Sequence, residues 1–527
     1  MESRMRINLI CKAMALGVLV ASAGCIWAQQ STAVKVIPSK MPKLGTVDSR
    51  YLSYNVEMVE VTGGRFWKPY KDASKAAASP QVSQEVGLDP GLFQYRSPID
   101  LSNARLRKLA VALEPAYIRV SGTWQNSTYF QNNDDPALQQ PPTGFKSVLT
   151  RAQWKGVVDF SSAVDAKIVT SVAISPGARG ADGVWIPAQA QELYRYTKSL
   201  GASIAATEFM NEPTIPVQGG APQGYDAETY AKDIKAFSAF LRAESPSTLF
   251  LGPGGTGEGV SLLPAGIKMK LLPTEDLMKA TGPAYDAFSY HFYGAVSQRC
   301  MGSTKIDQAL SAEWLDRTDT VEAYYASLRD RYLAGKPIWL TETAQAACGG
   351  DRFAGQFADS FRFLNQLGSL AQKGVQVVMH NTLAASDYSL INEANLEPKP
   401  NYWAAVLWKR TMGTVVLDPG SPKGQSLRIY AQCMKDSKGG VTLLALNADT
   451  QNVQSLTIPV SGEQFTLTAS DLASDKVKLN GTGLRAEPDG TLPSIHGQSV
   501  KGGVLNLPPE SITFLTLPTA HNKVCQQ

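Results

Sequence analysis

The sequence predicts an α/β fold, a (β/α)8 TIM barrel followed by a C-terminal antiparallel β-sandwich. Eight β-prone apolar runs alternate with helical segments over most of the chain, the pattern of a parallel sheet with crossover helices. Glu212 and Glu342 each stand where such a run gives way to a loop, and only a fold that gathers distant strand ends can bring them together. After Leu417 no long helical pattern returns, and short alternating strands broken by Gly, Asn, Asp and Pro follow.

The barrel is predicted to occupy residues 46–413 and the sandwich residues 414–527. Residues 29–45 precede the barrel and are expected to add an edge strand to the sandwich. The predicted barrel strands are Tyr51–Val59, Ala116–Ser121, Lys167–Ala173, Ser203–Met210, Thr248–Leu251, Ala287–Phe292, Pro337–Thr341 and Val375–His380. The predicted helices include Ser102–Leu113, Ala227–Ala243, Thr320–Leu333, Phe353–Lys373 and, as the last barrel helix, Pro398–Met412.

Residues 1–28 match a secretory signal peptide, with a basic start, an apolar stretch at Ala13–Val20 and cleavage expected after Ala28. Cys25 follows three small residues and loosely resembles a lipoprotein cleavage site, so a lipid anchor is the alternative to simple export. The mature chain is expected to be secreted or periplasmic, and monomeric. The basic residues of the start are Arg4, Arg6 and Lys12.

The composition argues against two classes of partner. Of the 527 residues, 43% are hydrophobic and 18% are charged, and a net charge of +4 gives no general reason to expect nucleic-acid binding. No segment after the leader is apolar for the roughly 18 residues that a membrane helix needs. We therefore expect neither a nucleic-acid partner nor an integral membrane span.

Four cysteines remain after the leader, and in an oxidising compartment this even number favours two disulfides out of three possible pairings. Metal binding is the alternative, but no two cysteines have CxxC spacing and the four histidines are far apart, so no metal is expected. A GxGxxG pattern at Gly252, Gly254 and Gly257 contains a proline and follows the fifth of eight strands, so no nucleotide cofactor is expected either. The cysteines are Cys300, Cys348, Cys433 and Cys525, and the histidines are His291, His380, His496 and His521.

Glu212 and Glu342 are the predicted catalytic pair. Glu212, in TEFMNEP, ends the fourth predicted strand and Glu342, in PIWLTETA, ends the seventh, so the two carboxyl groups face each other across the barrel mouth. Retaining glycoside hydrolysis uses two carboxyl groups about 5–5.5 Å apart, one as nucleophile and one as acid/base. A single glutamate at a strand end is usually a solvated loop residue, so the matched positions of the two carry the signal. Asn211 directly precedes Glu212 and could donate a hydrogen bond to the sugar 2-hydroxyl.

Five stretches are similar to a known family: SPIDLSNARLRKLAVALEPAYIRVSGT, EFMNEP, SYHFYG, PIWLTETAQAACGG and VVMHNTLAASDYSLINEANLEPKPNYWAAVLWKRTMGTVVL. Together they resemble glycoside hydrolase family 79, the heparanase and β-glucuronidase group of (β/α)8 glycosidases. The resemblance implies that Glu212 is the acid/base, Glu342 the nucleophile and Asn211 the partner of the 2-hydroxyl. It also implies that Tyr293 hydrogen-bonds the nucleophile and helps to keep it ionised, with His291 in the same substrate-binding run.

The resemblance further implies that a uronic acid occupies the subsite between the two glutamates. In the family, a tyrosine after strand eight and backbone amides of a glycine-rich loop after the nucleophile hold the sugar carboxylate. Tyr388, Gly349 and Gly350 are the matching residues here, and successive backbone N–H groups in a loop form an anion-binding nest. Taken alone, Tyr388 would be read as a packing residue. Glu57 and Thr123 fall where the family lines the same subsite.

The chain also departs from the family members that cleave heparan sulfate. Their loop after strand five carries amide and basic groups, whereas this chain reads GPGGTGEG, with Glu258 and no Lys or Arg, which puts a sulfated substrate in doubt. The family's tyrosine and first glycine after the nucleophile are replaced by Ala347 and Cys348. We hypothesise that a disulfide from Cys348 to Cys300, in the neighbouring loop after strand six, fixes the rim instead. Cys433 and Cys525 would then form a bridge in the sandwich, as a disulfide does in the family.

The predicted activity is therefore that of a retaining β-glucuronidase, exo-acting or heparanase-like and endo-acting, on a glucuronic-acid-containing oligo- or polysaccharide. A xylosidase or endoglucanase of the same barrel superfamily is one alternative. A carbohydrate-binding protein without catalysis is the other, and the presence of both carboxylates argues against it.

Overall fold

The computed structural model describes residues 33–70, 90–262, 270–420 and 426–526. The predicted signal peptide and Cys25 lie outside the described residues. Within the described ranges, no helix combines the length and the apolar character that crossing a membrane requires.

The eight barrel strands alternate with helices as predicted, and six further short strands before and between them lie outside the barrel. The strands are β1 (Val34–Lys35), β2 (Lys43–Thr46), β3 (Leu52–Glu57), β4 (Gly64–Trp67), β5 (Phe93–Arg96), β6 (Ala116–Ser121), β7 (Thr128–Gln131), β8 (Ser147–Thr150), β9 (Ala166–Thr170), β10 (Ile204–Thr207), β11 (Leu249–Gly255), β12 (Ala287–Tyr293), β13 (Ile338–Ala344) and β14 (Val377–His380). The helices are α1 (Met58–Thr62), α2 (Ala104–Val111), α3 (Arg151–Ala163), α4 (Ala188–Ser199), α5 (Ala227–Glu244), α6 (Thr274–Thr281), α7 (Ala312–Tyr332), α8 (Phe357–Gln372) and α9 (Pro400–Thr411).

Eight parallel strands close into a barrel in the order β3, β6, β9, β10, β11, β12, β13 and β14, which confirms the predicted fold class. The strands are largely buried because helices cover their outer faces, so they appear in the sequence as apolar runs rather than as alternating patterns. Inside the barrel a plug of apolar side chains fills the lower layers, and polar side chains lie above it. The plug consists of Tyr117, Val169, Ala206, Leu251, Ala287, Trp339, Val377 and Met379.

Three strand boundaries differ from the prediction in ways that matter for the site. β10 ends at Thr207, so Glu212 lies in the following loop rather than at the last strand residue. β13 continues to Ala344 because it stays paired with β12, so Glu342 lies inside the strand. The first barrel strand ends at Glu57, where the backbone N–H of Glu57 donates to Glu60 Oε1 (2.9 Å) and α1 begins in place of the predicted last strand residues.

The C-terminal region forms two packed sheets. One sheet has the order β2, β15, β16, β17, β24, β19, β20 and β21, with β22 also paired to β19, and the other has the order β1, β18 and β23. All pairs are antiparallel except that of β1 with β18. The strands from β15 onward are β15 (Met412–Leu417), β16 (Leu427–Met434), β17 (Val441–Asn447), β18 (Gln454–Ile458), β19 (Gly462–Thr468), β20 (Lys478–Leu479), β21 (Thr482–Gly483), β22 (Gln498–Val500), β23 (Gly503–Leu507) and β24 (Ser511–Leu517).

The larger sheet is buried on both faces. One face packs on the smaller sheet through residues such as Leu443 and Leu456, and the other contributes Tyr430, Leu444 and Phe514 to the main core of the barrel. β1 and β2, from the segment before the barrel, extend the edges of the two sheets. A disulfide joins Cys433 in β16 to Cys525 near the C-terminus, the pairing that the resemblance implied.

Candidate active site

Neighbouring strands β12 and β13 bring three of the predicted site residues together. The register pairs His291 with Glu342, and Tyr293 follows His291 on the same face of β12. The Tyr293 hydroxyl donates a hydrogen bond to Glu342 Oε1 at 2.6 Å, the contact that the family resemblance implied.

Glu342 is held from a second side by a residue that the sequence did not single out. Arg119 Nη1, from β6, donates to Glu342 Oε2 at 2.8 Å, so each carboxylate oxygen accepts one hydrogen bond. Glu342 is only 5% exposed, and its charge is thus balanced inside the barrel mouth rather than by water.

Arg119 is the centre of a buried charge network. Its Nε and Nη2 both donate to Glu208 Oε2, at 3.0 and 2.9 Å, while Nη2 also donates to Asn211 Oδ1 at 2.8 Å. Glu208 in turn accepts from Thr341 Oγ1 at 2.7 Å. Burial would raise the pKa of Glu208, but the Arg119 guanidinium, the nearby His291 ring and the hydrogen bond from Thr341 hold it well below its usual range.

The sequence contains one feature that could have indicated Arg119 and Glu208 as buried residues. Both are charged residues within otherwise apolar strand segments, IRVS and ATEF, and charged side chains are rarely fully buried without a partner. Two such positions in one predicted barrel indicate a buried ion pair, although the sequence does not show which strands face each other.

Glu212 has fewer contacts than Glu342. It adopts a left-handed backbone conformation, with φ of +50°, and its side chain is 13% exposed. His291 Nδ1 lies 3.3 Å from Glu212 Oε1 and 3.8 Å from Glu342 Oε2. One oxygen of Glu212, one ring nitrogen of His291 and one oxygen of Glu342 all lie within 4.8 Å of one another.

His291 carries a proton at neutral pH. Burial would lower the pKa of His291, but the carboxylates of Glu342, Glu208 and Glu212 outweigh burial and raise it to about 9. His291 Nε2 lies 3.7 Å from Glu208 Oε1 and 3.3 Å from Arg119 Nη2. Glu212, His291 and Glu342 are also ligand types that a metal ion uses, but the charges of Arg119 and of protonated His291 disfavour a cation there.

Asn211 lies beside the pair, as predicted from its place in the chain. Its Oδ1 accepts the hydrogen bond from Arg119 Nη2, and its Nδ2 donates to Thr123 Oγ1 at 3.4 Å. Asn126 fixes the backbone, since its side chain accepts from Asn211 N–H (2.8 Å) and donates to Asn211 C=O (3.0 Å). Thr123 and Glu212 line the cleft next to Asn211, which is only 1% exposed.

Tyr388 is connected to the other site residues by Asn381, which was not among the predicted site residues. Asn381 Nδ2 donates to the hydroxyl oxygens of Tyr293 (3.0 Å) and Tyr388 (3.1 Å), which links Tyr388 to Glu342 in one chain of hydrogen bonds. His380 Nε2 donates to the Tyr388 carbonyl at 2.9 Å. Burial and then the Arg362 charge lower the pKa of His380 to about 3, so its ring is neutral and structural.

Glu57 lies on the opposite side of Glu342 from Glu212 in strand order and lines the same cleft. Burial, followed by the charge of Glu342, raises the pKa of Glu57 well above its usual range. Gly122 makes room for it, because a Cβ at this position (φ +90°) would lie 1.5 Å from Glu57 Oε2. Glu60, behind it, is fully buried, and its pKa is raised by burial to about 7 despite the attraction of Arg96.

Gly349 and Gly350 follow β13 but do not line the cleft directly. Both are buried with positive φ, +81° and +92°, and Gly350 N–H donates to Ala346 C=O at 3.1 Å. Gly349 lies against Trp67, whose side chain would be 2.5 Å from an added Cβ. Their predicted contact with a sugar carboxylate therefore stays a prediction.

The rim around Tyr388 is tied together by covalent and ionic contacts. A disulfide joins Cys300, after β12, to Cys348, after β13, which is the bridge that we hypothesised from the sequence. Next to it, Arg299 Nη2 donates to Asp387 Oδ2 at 2.8 Å, and the guanidinium lies 3.9 Å from the centre of the Tyr70 ring. Four barrel loops are thus fixed relative to one another beside Tyr388.

The site opens into a continuous cleft of about 1980 Å³. Glu258, in the glycine-rich loop after β11, lines it as the sequence suggested. Its carboxylate accepts hydrogen bonds from Thr274 N–H (3.0 Å), the Tyr324 hydroxyl (3.0 Å) and the Tyr325 hydroxyl (3.3 Å). Glu258 therefore has a structural role in holding this loop as well as contributing negative charge to the cleft.

The sequence is similar to several known proteins. A family model described as the N-terminal domain of glycosyl hydrolase family 79 matches residues 96–368. Heparanase-like protein 1 of Arabidopsis thaliana is 25% identical, covering 81% of this chain and 86% of that protein. Hyaluronoglucuronidase of Hirudo nipponia is 24% identical, covering 86% and 98%. Inactive heparanase-2 of Homo sapiens is 26% identical, covering 83% and 86%.

Solved structures share the fold. A 4-O-α-L-rhamnosyl-β-D-glucuronidase from Fusarium oxysporum superposes with a TM-score of 0.60 at 13% identity, covering 92% of this chain and all of that one. An α-L-arabinofuranosidase from Thermotoga maritima superposes with a TM-score of 0.61 at 14% identity, with the same coverage. At these identities the likeness bears on the fold alone, a barrel that carries a second, β-rich region.

Proposed function

Since the chain belongs to glycosyl hydrolase family 79, we propose that it is a retaining glycosidase that cleaves β-linked glucuronic acid from a glycan or glycoside. The single observation that carries the proposal is the environment of Glu342. It is buried, each of its oxygens accepts a hydrogen bond, and an oxygen of Glu212 lies within 4.8 Å. This spacing is closer to the roughly 5–5.5 Å between the carboxyl groups of retaining enzymes than to the roughly 6.5–9.5 Å of inverting ones, which supports a retaining mechanism.

The first step forms a covalent intermediate. Glu342 attacks the anomeric carbon of the glucuronide, and the leaving oxygen takes a proton from Glu212, so that a glycosyl ester forms as the glycosidic bond breaks. We propose Asn211 as the partner of the sugar 2-hydroxyl and Tyr293 as a second contact of the sugar. Arg119 and Tyr293 hold Glu342 in one orientation, which removes the entropic cost of aligning it for attack.

The second step releases the sugar. Glu212, now a carboxylate, accepts a proton from a water molecule that attacks the anomeric carbon, and Glu342 leaves as a carboxylate. Arg119, Tyr293 and the protonated His291 stabilise the negative charge that returns to Glu342. The two displacements together retain the anomeric configuration.

A cluster around Tyr388 supports the choice of a uronic acid. The Tyr388 and Tyr293 hydroxyls meet at Asn381 Nδ2, next to the buried Glu57, whose raised pKa favours a protonated carboxyl that can donate to a substrate oxygen. One relative is named a hyaluronoglucuronidase and another a heparanase-like protein, which supports a glucuronide substrate here. We propose Tyr388, Glu57 and Thr123 as the contacts of this sugar, with Gly349 and Gly350 supporting the loop.

An unsulfated substrate fits the charge of the cleft better than heparan sulfate does. Among the residues that the structure describes, the lysines and arginines that line it are Arg65, Lys146 and Arg299, and Arg299 is already paired with Asp387. Unpaired sulfate groups would lie close to Glu258, with a cost in repulsion and desolvation.

Two disulfides favour an oxidising compartment, so we propose that the protein acts outside the cytoplasm. A catalytically silent role, suggested by the name of one relative, is the second candidate. The charged network around Glu342 argues against it, because a protein that only binds sugar has no need of a buried arginine, histidine and three carboxylates at one point.

The test is a panel of aryl β-glycosides, offered alongside unsulfated glucuronic-acid polymers and heparan sulfate, with the products sized. We expect turnover of the aryl glucuronide and of an unsulfated polymer, and little or none of the xyloside. Turnover of the xyloside or glucoside without the glucuronide would instead support another glycosidase of the superfamily. Binding without any turnover would support the silent role.

A further inference from the structure

The loop after the first barrel strand contains a small hairpin, formed by β4 and β5, with two different faces. The register pairs Arg65 with Tyr95, Trp67 with Phe93, and Phe66 with Gln94. One face is buried against the barrel, because Phe66 packs edge-on against Trp124 with ring centres 4.9 Å apart. The inner face anchors the hairpin, so the other face is presented on a rigid support.

The same anchoring is electrostatic as well as apolar. Arg96 Nε, on the inner face, donates to Glu393 Oε1 at 2.7 Å, and its charge also acts on Glu60 behind the site. A buried arginine with two acidic neighbours is costly to move, because movement would leave charges unpaired.

The other face, which we call the outer aromatic face, consists of Trp67, Phe93 and Tyr95. Trp67 and Phe93 stack with ring centres 4.6 Å apart, and Tyr95 is 69% exposed. Arg65 lies beside Tyr95 and donates to the Phe93 carbonyl at 3.4 Å. Trp67 and Phe93 are half-buried, so this face presents one exposed and two partly exposed aromatic rings at the edge of the cleft. Such a surface indicates a binding site, because its apolar area stays in contact with water until something covers it.

The outer aromatic face is continuous with the candidate active site. Trp67, Phe93 and Tyr95 line the same cleft as Glu212 and Glu342. Trp67 contacts Gly349, a few residues after Glu342 in the chain. The cleft volume of about 1980 Å³ exceeds the roughly 300–1,000 Å³ of a small-ligand pocket, so it can hold more than one sugar ring.

The order of the barrel strands indicates on which side of the cleaved glycosidic bond the outer aromatic face lies. Glu212 follows the fourth barrel strand and Glu342 lies in the seventh, so strands five and six lie on one side of the pair and strands eight, one, two and three on the other. Tyr388 and Glu57, our proposed glucuronate contacts, belong to strands eight and one. The hairpin follows strand one, so it lies beyond the glucuronate and away from the leaving group.

We infer that the outer aromatic face is a second sugar subsite, where Trp67, Phe93 and Tyr95 stack against the uncharged pyranose attached to the non-reducing side of the glucuronate. The apolar C–H face of such a ring covers the aromatic surface, while its hydroxyls remain in water. The enzyme would then cleave within a chain rather than only at its end. The inference rests on the proposed function for the position of the glucuronate.

The experiment compares two substrates, 4-nitrophenyl β-glucuronide and the same glycoside extended by one neutral sugar on the glucuronate. For the wild-type protein we expect the extension to raise kcat/KM, mainly by lowering KM, by roughly tenfold. Phe93→Ala and Tyr95→Ala should each lose most of that gain. Val504→Ala, which removes another exposed apolar side chain in the sandwich strand β23, should keep it. Urea denaturation of all four proteins checks that the hairpin variants remain folded.

Two results would overturn the subsite: no gain from extension in the wild-type protein, or a full gain that persists in folded Phe93→Ala and Tyr95→Ala. Failure of the proposed function has a different signature, since the wild-type protein would then hydrolyse neither substrate. In that case calorimetric titration of wild-type and Tyr95→Ala protein with neutral β-linked oligosaccharides tests the surface itself. Weaker binding by Tyr95→Ala would uphold it, and equal binding or none would reject it.

Discussion

Glu212 and Glu342, the two glutamates that we propose as catalytic, are held in contrasting ways. Glu342 lies inside a strand that continues to Ala344, is 5% exposed, and accepts hydrogen bonds from Arg119 and Tyr293. Glu212 lies in the loop after its strand, in a left-handed backbone conformation, and has His291 as its side-chain neighbour.

This difference matches the two roles that we propose. A nucleophile has to stay ionised and fixed, so two hydrogen-bond donors, one of them charged, suit it. An acid/base has to give up a proton and take one back within each turnover, and a group held by many donors to its charged form would do this poorly. The comparison therefore predicts unequal consequences when each residue is changed.

The largest effect is expected for Glu342→Gln. Removing the nucleophile should lower kcat by a factor on the order of 10⁴ or more for every glucuronide, whatever its leaving group, because no ester can form. Substrate binding, measured by calorimetry, should persist. Glu313→Gln, at an exposed glutamate of α7, is the matched control and should keep full activity. Comparable turnover in Glu342→Gln would refute the assigned nucleophile.

Glu212→Gln should give a smaller loss that depends on the leaving group. For a sugar or alkyl leaving group, the missing proton should cost roughly 10²–10⁴ in the rate of the first step. For a dinitrophenyl leaving group, which needs no protonation, that step should be nearly normal and the intermediate should accumulate as a burst. The contrast disappears if Glu212 is the nucleophile, since the loss would then be the same for both substrates.

A third change, Glu208→Gln, should shift a pH profile rather than abolish activity. The raised pKa of His291 keeps the ring protonated up to about pH 9, so activity that needs the charged ring is lost as pH rises through that value. Replacing Glu208 removes one of the negative charges that raise this pKa, and the alkaline limb should move down by roughly one pH unit. The measurement is kcat/KM against pH for both proteins. An alkaline limb at the same pH in both would show that activity does not depend on the charge of His291.

The same group links pH to stability. A folded-state pKa raised from 6.5 to about 9 means that the contribution of His291 is fully present below pH 6.5 and is lost as pH rises through about 9. The free energy of unfolding of the wild-type protein should therefore fall across this window. Glu208→Gln should show a shallower fall, which urea denaturation at several pH values can follow.

The barrel could be predicted from the sequence because its strands are buried on both faces and read as apolar runs of consistent length. The positions of Glu212 and Glu342 followed from counting those runs. The buried residues around these glutamates could not be predicted in the same way. Arg119 contacts Glu342 and Glu208 only because closure of the barrel brings β6 opposite β10 and β13, and a single sequence does not give that arrangement. Glu208 was overlooked for the same reason.

The hydrogen bonds within the loops could not be predicted from the sequence either. The direction of the Gly350 N–H depends on backbone angles, and it donates to Ala346 within its own loop. By contrast, the bridge between Cys300 and Cys348 could be hypothesised, since only neighbouring loops of one barrel face had to meet. The order of strands and loops along the chain could be predicted, whereas the hydrogen-bond partners of individual polar groups could not.

The central claim is that Glu342 forms the covalent intermediate while Glu212 serves as acid/base. It is tested most directly by incubating the wild-type protein with a 2-deoxy-2-fluoro-β-glucuronyl fluoride, which slows release of the intermediate, and mapping the labelled peptide by mass spectrometry. We predict one attached sugar per chain, on Glu342 in the peptide that contains PIWLTETA. Attachment to Glu212 would contradict the account, as would steady turnover to the inverted product with no labelled protein.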